Sequence, residues 1–567
     1  MLHKIFRREA FSVPQDAFTI KYVAKELEEL LAGGKISKIT QQNRDMLTFI
    51  IYTRKGTVKL ETCFSAKGCR LNVCRTETPA PKVAPAFCML LRKHLQNAEI
   101  KRVEQTDGER IVRFDFLCNS EFELKEMSLY CELMGKYSNA VLCENGIIAG
   151  ALKTTAIGES TRRVLFTGAK YVLPAPQDKV NPENLNALEE VFKGFSGDFA
   201  KLIADRVLGV AYSTALEICG EFNQKPTAND VNRYICGGIT EPCVTFLNGE
   251  PNDFKVKSVS ADKRIYPTVL EAQTAYYAYV TQKQTFEEVK RRLYGTVFSA
   301  IKKLEKRIAT FDARLFECRD MELVKLKGEL ITANIYAVKR GCDSFEAVNY
   351  YDEKGGTIKI ALDKSLSPAE NAQRYYKKYA KLKRTLASVS GQKRETGEKL
   401  DYLNSIEAHI CAAETLLDLE ETEEELKICG LLKEDVKKKK TQKISPFREF
   451  LCDGFRILAG RNNLQNDRLL KSVSPQDIWL HTQNYHSSHV VIVTEGKTAP
   501  EEVVLKAAEI CAYYSDGRGA SKVPVDYCRR KSVKKPPKSN AGFVIYTDYK
   551  TLLAEPDGHG ELLKDEN

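Results

Sequence analysis

Leu293, Val297, Ile301, Leu304, Ile308, Phe311 and Leu315 recur at spacings of four and three, and Lys, Arg, Glu and Gln fill most positions between them. That is the repeat of an apolar helical seam. Leu382, Leu386 and Val389 take it up again, as do Leu403, Ile406, Ile410, Ala413 and Leu417. Each helical stretch covers about 50–60 residues, so at 1.5 Å per residue it can reach roughly 75–90 Å. Neither seam is satisfied alone in water. The economical arrangement pairs them antiparallel, as a long coiled-coil stalk with a small cap at its tip, between about 328 and 366. An ordinary helical bundle is the competing arrangement.

A chain of 567 residues has room for further units on either side of such a stalk. With 43% hydrophobic and 29% charged residues, it has the composition of a folded chain and not of a disordered one. No apolar run approaches the about 18 residues that a membrane span needs, and the start, Met1-Leu-His-Lys-Ile-Phe-Arg-Arg, lacks the apolar core of a secretory signal. The 17 cysteines are odd in number, diluted along the chain and without a Cys-x-x-Cys pair. Cys63, Cys69 and Cys74 come closest to a cluster, without ligand-type spacing. Free thiols in a reducing compartment are expected, with no cofactor or metal. The net charge of +11 is uneven: residues 1–178 carry 27 Lys and Arg against 20 acids, and Arg518–Lys538 carries eight against one, Asp526. Clustered positive charge suits phosphate-rich partners, since each neutralised phosphate releases condensed counterions. A solvated basic face explains any single run equally well.

Residues 1–178 read as a mixed α/β or α+β head. A helix over Thr19–Leu31 leads to Gly33-Gly34, and alternating strands at Ile36–Ile39, Leu47–Tyr52, Thr57–Thr62 and Cys69–Val73 precede a second helix, Ala86–Leu95. Further strands at Ile100–Glu104, Arg110–Phe116, Glu121–Glu126, Ser128–Leu133 and Ala140–Cys143 complete a curved antiparallel sheet. On the second helix Phe87, Leu90 and Leu91 share one face and leave Arg92 and Lys93 on another, where they can grip a nucleic-acid backbone. Glu109-Arg110 follows the turn Thr106-Asp-Gly108 and opens a strand. An acid beside a guanidinium can read the amino groups and acceptors of exposed bases, or form a surface salt bridge.

Residues 179–262 read as a helical unit. Phe192-Lys-Gly-Phe-Ser196 and Leu208-Gly-Val210 each precede a helix, the pattern of a helix-hairpin-helix module whose turn amides can hold a phosphate, or of a plain helical spacer. The stalk fills 263–440. It returns from Ser367 as N-cap with Pro368 in the first turn, and closes through the acidic Glu420–Glu425 and the basic Lys437–Lys440, charge blocks that read as a solvated connection. Residues 441–567 form a last α/β domain with strands at Phe455–Ala459, Asp477–His481 and Ser488–Val493, a helix at Pro500–Tyr514, and Phe543–Tyr546 closing its sheet. His481, His486 and His489 stand within nine residues of one another, but alternation places His481 and His489 on one face and His486 in a turn, with no Cys or carboxylate beside them. Trp479 and His481 then serve either core packing or stacking on RNA. The cations Arg529, Arg530, Lys531, Lys534 and Lys535 follow as an RNA- or ribosome-binding run.

Taken together, Phe87–His94, Gly328–Tyr336, Ser367–Tyr379, Asp477–His481 with Ser488–Ile492, and Tyr513–Tyr527 resemble the NFACT family, in the same order from Asp16 to Pro556. The resemblance implies an α+β multidomain chain in the order NFACT-N, helix-hairpin-helix, coiled coil with middle domain, and NFACT-R. It further implies the bacterial form, without an added eukaryotic C-terminal domain. Members bind the 50S ribosomal subunit carrying a stalled peptidyl-tRNA and recruit aminoacylated tRNA, alanyl-tRNA in bacteria. The nascent chain thereby gains a template-free tail that marks it for degradation, with the S4-like RNA-binding protein RqcP as partner. The ribosome makes the peptide bond, so no catalytic residue is expected. By position the tRNA-binding residues of the family fall on Asp16, Glu109 and Arg110. The pair here is Glu-Arg instead of the family's Asp-Arg, Ala17 stands where many members have Gly, and Met1–Pro14 extends beyond the usual start. Two other readings compete: a surface adhesin for fibronectin, against which the missing export signal and free thiols speak, and a DNA-binding or repair protein built on the helix-hairpin-helix module.

Overall fold

The computed structural model describes residues 15–556, apart from 67, 75–80, 82, 107, 120–123, 156–162, 353–354 and 434–444. The extension Met1–Pro14, the strand start at Glu121 and the run Lys437–Lys440 lie outside the described residues. The chain divides into two compact units, Met1–Lys283 and Gln284–Asn567.

In the first unit, α1 (Ala17–Leu31) is capped by Asp16, and Ile20, Val23, Ala24, Leu27 and Leu31 form a buried stripe at helical spacing. Burying such an aliphatic side chain stabilises by about 1.5–3 kcal/mol. Gly33, at φ +75°, ends the helix and its N–H donates to the Ile100 carbonyl. Nine strands follow in the order β4-β3-β2-β1-β5-β6-β7-β8-β9, every pairing antiparallel. They run Lys35–Asn43, Met46–Thr53, Gly56–Cys63 and Arg70–Val73 (β1–β4), then Glu99–Gln105, Ile111–Asn119, Leu124–Glu132, Asn139–Glu144 and Ile147–Ala151 (β5–β9). Where the sequence suggests two strands between Glu121 and Leu133, β7 runs unbroken through Met127. The second helix, α2 (Ala86–Leu95), packs Phe87, Cys88, Leu91 and Leu95 into the same core.

Four helices, α3 (Leu185–Phe192), α4 (Phe199–Arg206), α5 (Tyr212–Glu221) and α6 (Ala228–Cys236), come next. The purely helical reading of 179–262 is incomplete. A three-stranded sheet follows, of β10 (Cys243–Leu247), β11 (Glu250–Lys255) and β12 (Lys263–Ile265). Its hairpin turns on Asn248-Gly249, both at positive φ, the dipeptide that a two-residue hairpin demands. The long helix α7 (Val269–Glu317) starts in this unit: Glu26 accepts from the Val269 and Leu270 amides at 2.9 and 2.7 Å, and Thr274 Oγ1 donates to the Val73 carbonyl.

In the second unit α7 pairs with α9 (Pro368–Ala412). Leu293, Val297 and Ile301 pack with Leu403, Ile406 and Ile410, Lys393 Nζ meets Asp312, and Cys318 Sγ donates to the Leu382 carbonyl, so the two run antiparallel. Gly328-Glu-Leu-Ile is helical, inside α8 (Met321–Ala333). A Cβ on Gly328 would sit 3.3 Å from the Tyr376 ring, so glycine lets α8 approach α9 closely. The hairpin of β13 (Ser344–Val348) and β14 (Thr357–Ala361) covers Leu330 and Ile331. The second seam does not continue as one helix to Leu417. It stops at Ala412, and Thr415 caps a new helix, α10 (Leu416–Ile428).

The acidic stretch Glu420–Glu425 is therefore not a solvated connection but part of a packed helix. Asp418 meets Arg461 at 2.8 Å and Arg448 at 3.3 Å. Glu421 accepts from Asn462, Gln465 and Ser445 and meets Arg468. Carboxylates on the buried side of a helix hold their charge only where cations and amides surround them. Asp418 and Glu421 stay below their usual pKa although burial opposes it, because Arg448 and Arg461 at Asp418, and the Ser445 hydroxyl with the Asn462 and Gln465 amides at Glu421, outweigh the desolvation. The final six-stranded sheet has the order β15-β16-β18-β17-β19-β22, from Arg448–Cys452, Phe455–Ala459, Ile478–Thr482 (β17), Val490–Val493 (β18), Val523–Arg529 and Lys550–Ala554. Leu480, Val490 and Ile492 face α12 (Glu501–Tyr513), while Trp479 and Val491 face Leu469 and Leu470 of α11 (Asn463–Ser472). Residues 543–546 do not close this sheet. Ile545–Tyr546 (β21) pairs instead with Val533–Lys534 (β20), and Lys550–Ala554 takes the edge.

Candidate nucleic-acid interface

Gly108 precedes the candidate pair Glu109-Arg110. It sits at φ +65°, a backbone region that favours glycine, and a Cβ there would fall 2.4 Å from Leu208 Cδ2 and displace that side chain. Gln105 Nε2 donates to the carbonyls of Ala17 (2.7 Å) and Glu109 (2.8 Å), which ties the turn to the start of α1. Asp16 locks that start. Its Oδ1 accepts from the Thr19 amide (2.9 Å) and its Oδ2 from the Ala211 amide (3.0 Å), while the Phe18 amide donates to the Gly209 carbonyl.

Asp16 is 6% exposed with both oxygens occupied. Both bonds brace the turn from beneath. Asp16 also fills the amide at the start of α5 that a phosphate would need if Leu208-Gly-Val210 were a phosphate-binding turn: the anion held there is a side chain of the same chain.

Glu109 and Arg110 are half-buried at the end of this scaffold. Gln177 Nε2 lies 3.3 Å from Glu109 Oε2, and the Arg110 carbonyl accepts from Leu133. The Arg110 guanidinium has no ion pair among the described residues. Beside the turn opens a groove of about 750 Å³ whose rim carries Lys21, Lys25 and Arg102 together with Glu28, Glu29 and Glu104. Arg92 donates its Nε to the Ile39 carbonyl at 2.8 Å, which pins α2 to β1. Lys93 is exposed.

In the second unit Trp479 is fully buried at 0% exposure, between Tyr546 and the rings of His481 and His489. For Trp479 the stacking role on RNA is thereby corrected to core packing, because no base can reach a ring that the domain itself encloses, while His481 is half-buried. His481 and His489 lie on one face, ring centroids 5.5 Å apart, as the alternation predicts. Burial pushes His481 down to about 4, and His409 of α9 down to about 3, with the neighbouring Arg448 adding to the effect. His489 is likewise held well below its usual value by burial. Among the described residues no group of three or more His, Cys, Asp or Glu is placed to hold a metal ion.

The cationic run is divided in its duties. Arg530 donates to the Leu470 and Val533 carbonyls, Lys535 pairs with Asp467, and Arg529 Nη1 donates to the Gln476 carbonyl at 2.9 Å. Lys531 and Lys534 are exposed and without ion-pair partners among the described residues. Lys538, Phe543 and Tyr549 follow the run and carry no sequence signal beyond their type, while Lys550 pairs with Tyr527 and so lies on the α12 face of the sheet. None of the 17 cysteines is in a disulfide, and no helix among the described residues is long and apolar enough to cross a membrane.

Comparison with known proteins bears on both faces. Residues 16–445 match the family model for the NFACT N-terminal and middle domains, and residues 446–545 that for the NFACT protein RNA binding domain. The chain is similar to the Rqc2 homolog RqcH of Bacillus subtilis, 32% identical over 94% of this chain and 96% of that protein. It is similar to the Rqc2 homolog RqcH of Streptococcus suis at 30% identity, over 95% and 98%. The solved C-terminal part of the fibronectin/fibrinogen-binding protein of Streptococcus suis covers 50% of this chain and 100% of that one, at 29% identity and a TM-score of 0.40. With two family models meeting end to end and relatives alike over nearly their whole length, the chain belongs to the NFACT family.

Proposed function

We propose that this protein is a cytoplasmic ribosome quality-control factor. It binds 50S subunits carrying a stalled peptidyl-tRNA and recruits alanyl-tRNA for template-free alanine tailing of the nascent chain. The observation that carries the reading is the likeness to proteins named Rqc2 homolog RqcH along nearly the whole chain. The geometry supports it. An Arg110 without an ion pair among the described residues, beside Glu109 on a turn braced by Gly108, Gln105 and Asp16, suits the reading of unpaired bases. The second unit offers exposed lysines, Lys531 and Lys534, without ion-pair partners among the described residues.

In this reading residues 1–178 form the tRNA-reading head and 179–262 a helix-hairpin-helix module. Residues 263–440 are a coiled-coil spacer with its middle domain, and 441–567 the RNA-binding domain. Peptide bonds form in the ribosomal peptidyl transferase centre, so the chain is not itself an enzyme, and an RqcP-like S4-domain protein shares the cycle. The test is to purify the tagged protein from cells, sequence the RNA bound to it, and follow it through a sucrose gradient. Enriched tRNA-Ala with 50S co-sedimentation supports the proposal. Cell-wall recovery, or equal affinity for tRNA and duplex DNA at matched salt, overturns it.

A further inference from the structure

Phe543, Ile545 and Tyr549 are 54%, 56% and 47% exposed on a domain that encloses its only tryptophan completely. They form a continuous surface with the cationic run. Lys534 pairs with Ile545 and Val533 with Tyr546 across a short antiparallel ladder, and the Thr547 amide donates to the Ser532 carbonyl at 3.2 Å. Tyr549 rests edge-on against Tyr546, centroids 5.2 Å apart. Tyr546 in turn lies 4.9 Å from Trp479 and donates its hydroxyl to Asp526 at 2.8 Å. The exposed ring is thus propped on an aromatic chain rooted in the core.

Phe543 is held from the other side. Asp467 of α11 pairs with Lys535 and accepts from the Gly542 amide at 3.1 Å, pinning both ends of the loop between them. Gly542 is at φ +76°, and a Cβ there would meet Asn463 Oδ1 at 2.3 Å, so the loop is moulded onto α11. On this stretch Lys531, Lys534 and Lys538 are exposed with no ion-pair partner among the described residues. The acid among them is Asp548, which accepts from the Ser532 and Thr547 hydroxyls.

We infer that this face, residues 529–534 with 538–549, is a platform for single-stranded RNA, with Phe543 and Tyr549 as stacking surfaces and Lys531, Lys534 and Lys538 as phosphate contacts. The inference rests on the reading that the last domain meets RNA, and it names the kind of RNA and the residues that hold it. Unpaired bases offer a free π face to an aromatic ring, whereas those of a duplex are already stacked on one another. Exposed rings interleaved with lysines that have no ion-pair partner among the described residues therefore favour a single strand over a helix. An acidic peptide would use the lysines and leave the rings idle.

The full-length protein is titrated by fluorescence anisotropy with labelled oligouridine, with a blunt RNA duplex of equal length, and with poly-glutamate as competitor, at several matched salt concentrations. Oligouridine should bind roughly 10-fold or more tightly than the duplex. Phe543→Ala and Tyr549→Ala should each weaken it about 5- to 100-fold with the salt slope unchanged, while Tyr549→Phe retains binding. Lys531→Gln with Lys534→Gln should lower the salt slope by about 1.4, two contacts at about 0.7 each. Trp479 fluorescence melting confirms that each variant keeps its fold. Equal or tighter duplex binding, unaffected alanine variants, or displacement of oligouridine by equimolar poly-glutamate overturns the platform. Co-sedimentation separates the two ideas: a wild-type protein that travels with 50S but ignores oligouridine overturns the platform alone. One that binds oligouridine by these residues and ignores 50S upholds the platform and overturns the ribosomal reading.

Discussion

Replacing Asp16 by alanine removes two hydrogen bonds whose donors have no second acceptor at hand. The first is the N-cap of α1, through Thr19, and the second the partly buried bond to Ala211, 195 residues along the chain. Loss of an N-cap costs about 1 kcal/mol, and a partly buried amide left unsatisfied about 1 kcal/mol, the low end of the range for buried donors. Asp16→Ala should therefore destabilise the first unit by about 2 kcal/mol, an appreciable part of the roughly 5–15 kcal/mol that holds a domain folded. Asparagine keeps one acceptor, so Asp16→Asn should lose about half as much.

The assay follows from the composition. The only tryptophan, Trp479, lies in the second unit, so its fluorescence during urea unfolding reports that unit and should not change. Far-UV circular dichroism and amide exchange in Ala17–Leu31 report the first unit, where the midpoint should fall and protection weaken. If Asp16→Ala unfolds within about 0.5 kcal/mol of wild type yet loses its bound tRNA, the scaffold account is refuted and Asp16 touches the ligand directly.

Glu109→Gln combined with Arg110→Ala should abolish alanine tailing on a stalled reporter while leaving 50S co-sedimentation largely intact. Because Arg110 has no ion pair among the described residues, stability should stay within about 0.5 kcal/mol. Glu425 is buried against Tyr402 and Asn463, and burial lifts its carboxyl to about 7. A folded-state value raised above the unfolded one means stability is lost as pH rises from about 4.5 through 7. Glu425→Gln should accordingly stabilise the second unit by up to about 3 kcal/mol at pH 8, a gap that narrows toward pH 5, measured by Trp479 fluorescence in urea. His409 has the opposite sign. Its value is depressed to about 3, so its contribution is present above 6.5 and lost as pH falls. His409→Leu should relieve about 2 kcal/mol of acid destabilisation at pH 5, and an unchanged acid limb would rule that out.

The seam of Leu293, Val297 and Ile301, the capped start at Ser367, and the strand alternation around Trp479 are local patterns, legible because an apolar stripe repeats at the period of its own element. The Asn248-Gly249 hairpin was equally legible as a turn signal, and a helical reading of 179–262 passes over it. The side-by-side Glu109 and Arg110 are visible in the sequence, and the order of motifs marks the family. Other features depend on partners far along the chain. Asp16 looks like a surface acid until Ala211 arrives at its second oxygen. Glu421 and Glu425 look solvated until Arg468, Asn462, Gln465 and Asn463 pack over them. Trp479 and Tyr549 carry the same aromatic chemistry, and only the closing of the sheet and its flanking ladder decides which ring is enclosed and which faces solvent. Periodicity follows from short-range sterics that every residue carries with it, whereas burial and ion pairing are sums over neighbours that folding alone brings together.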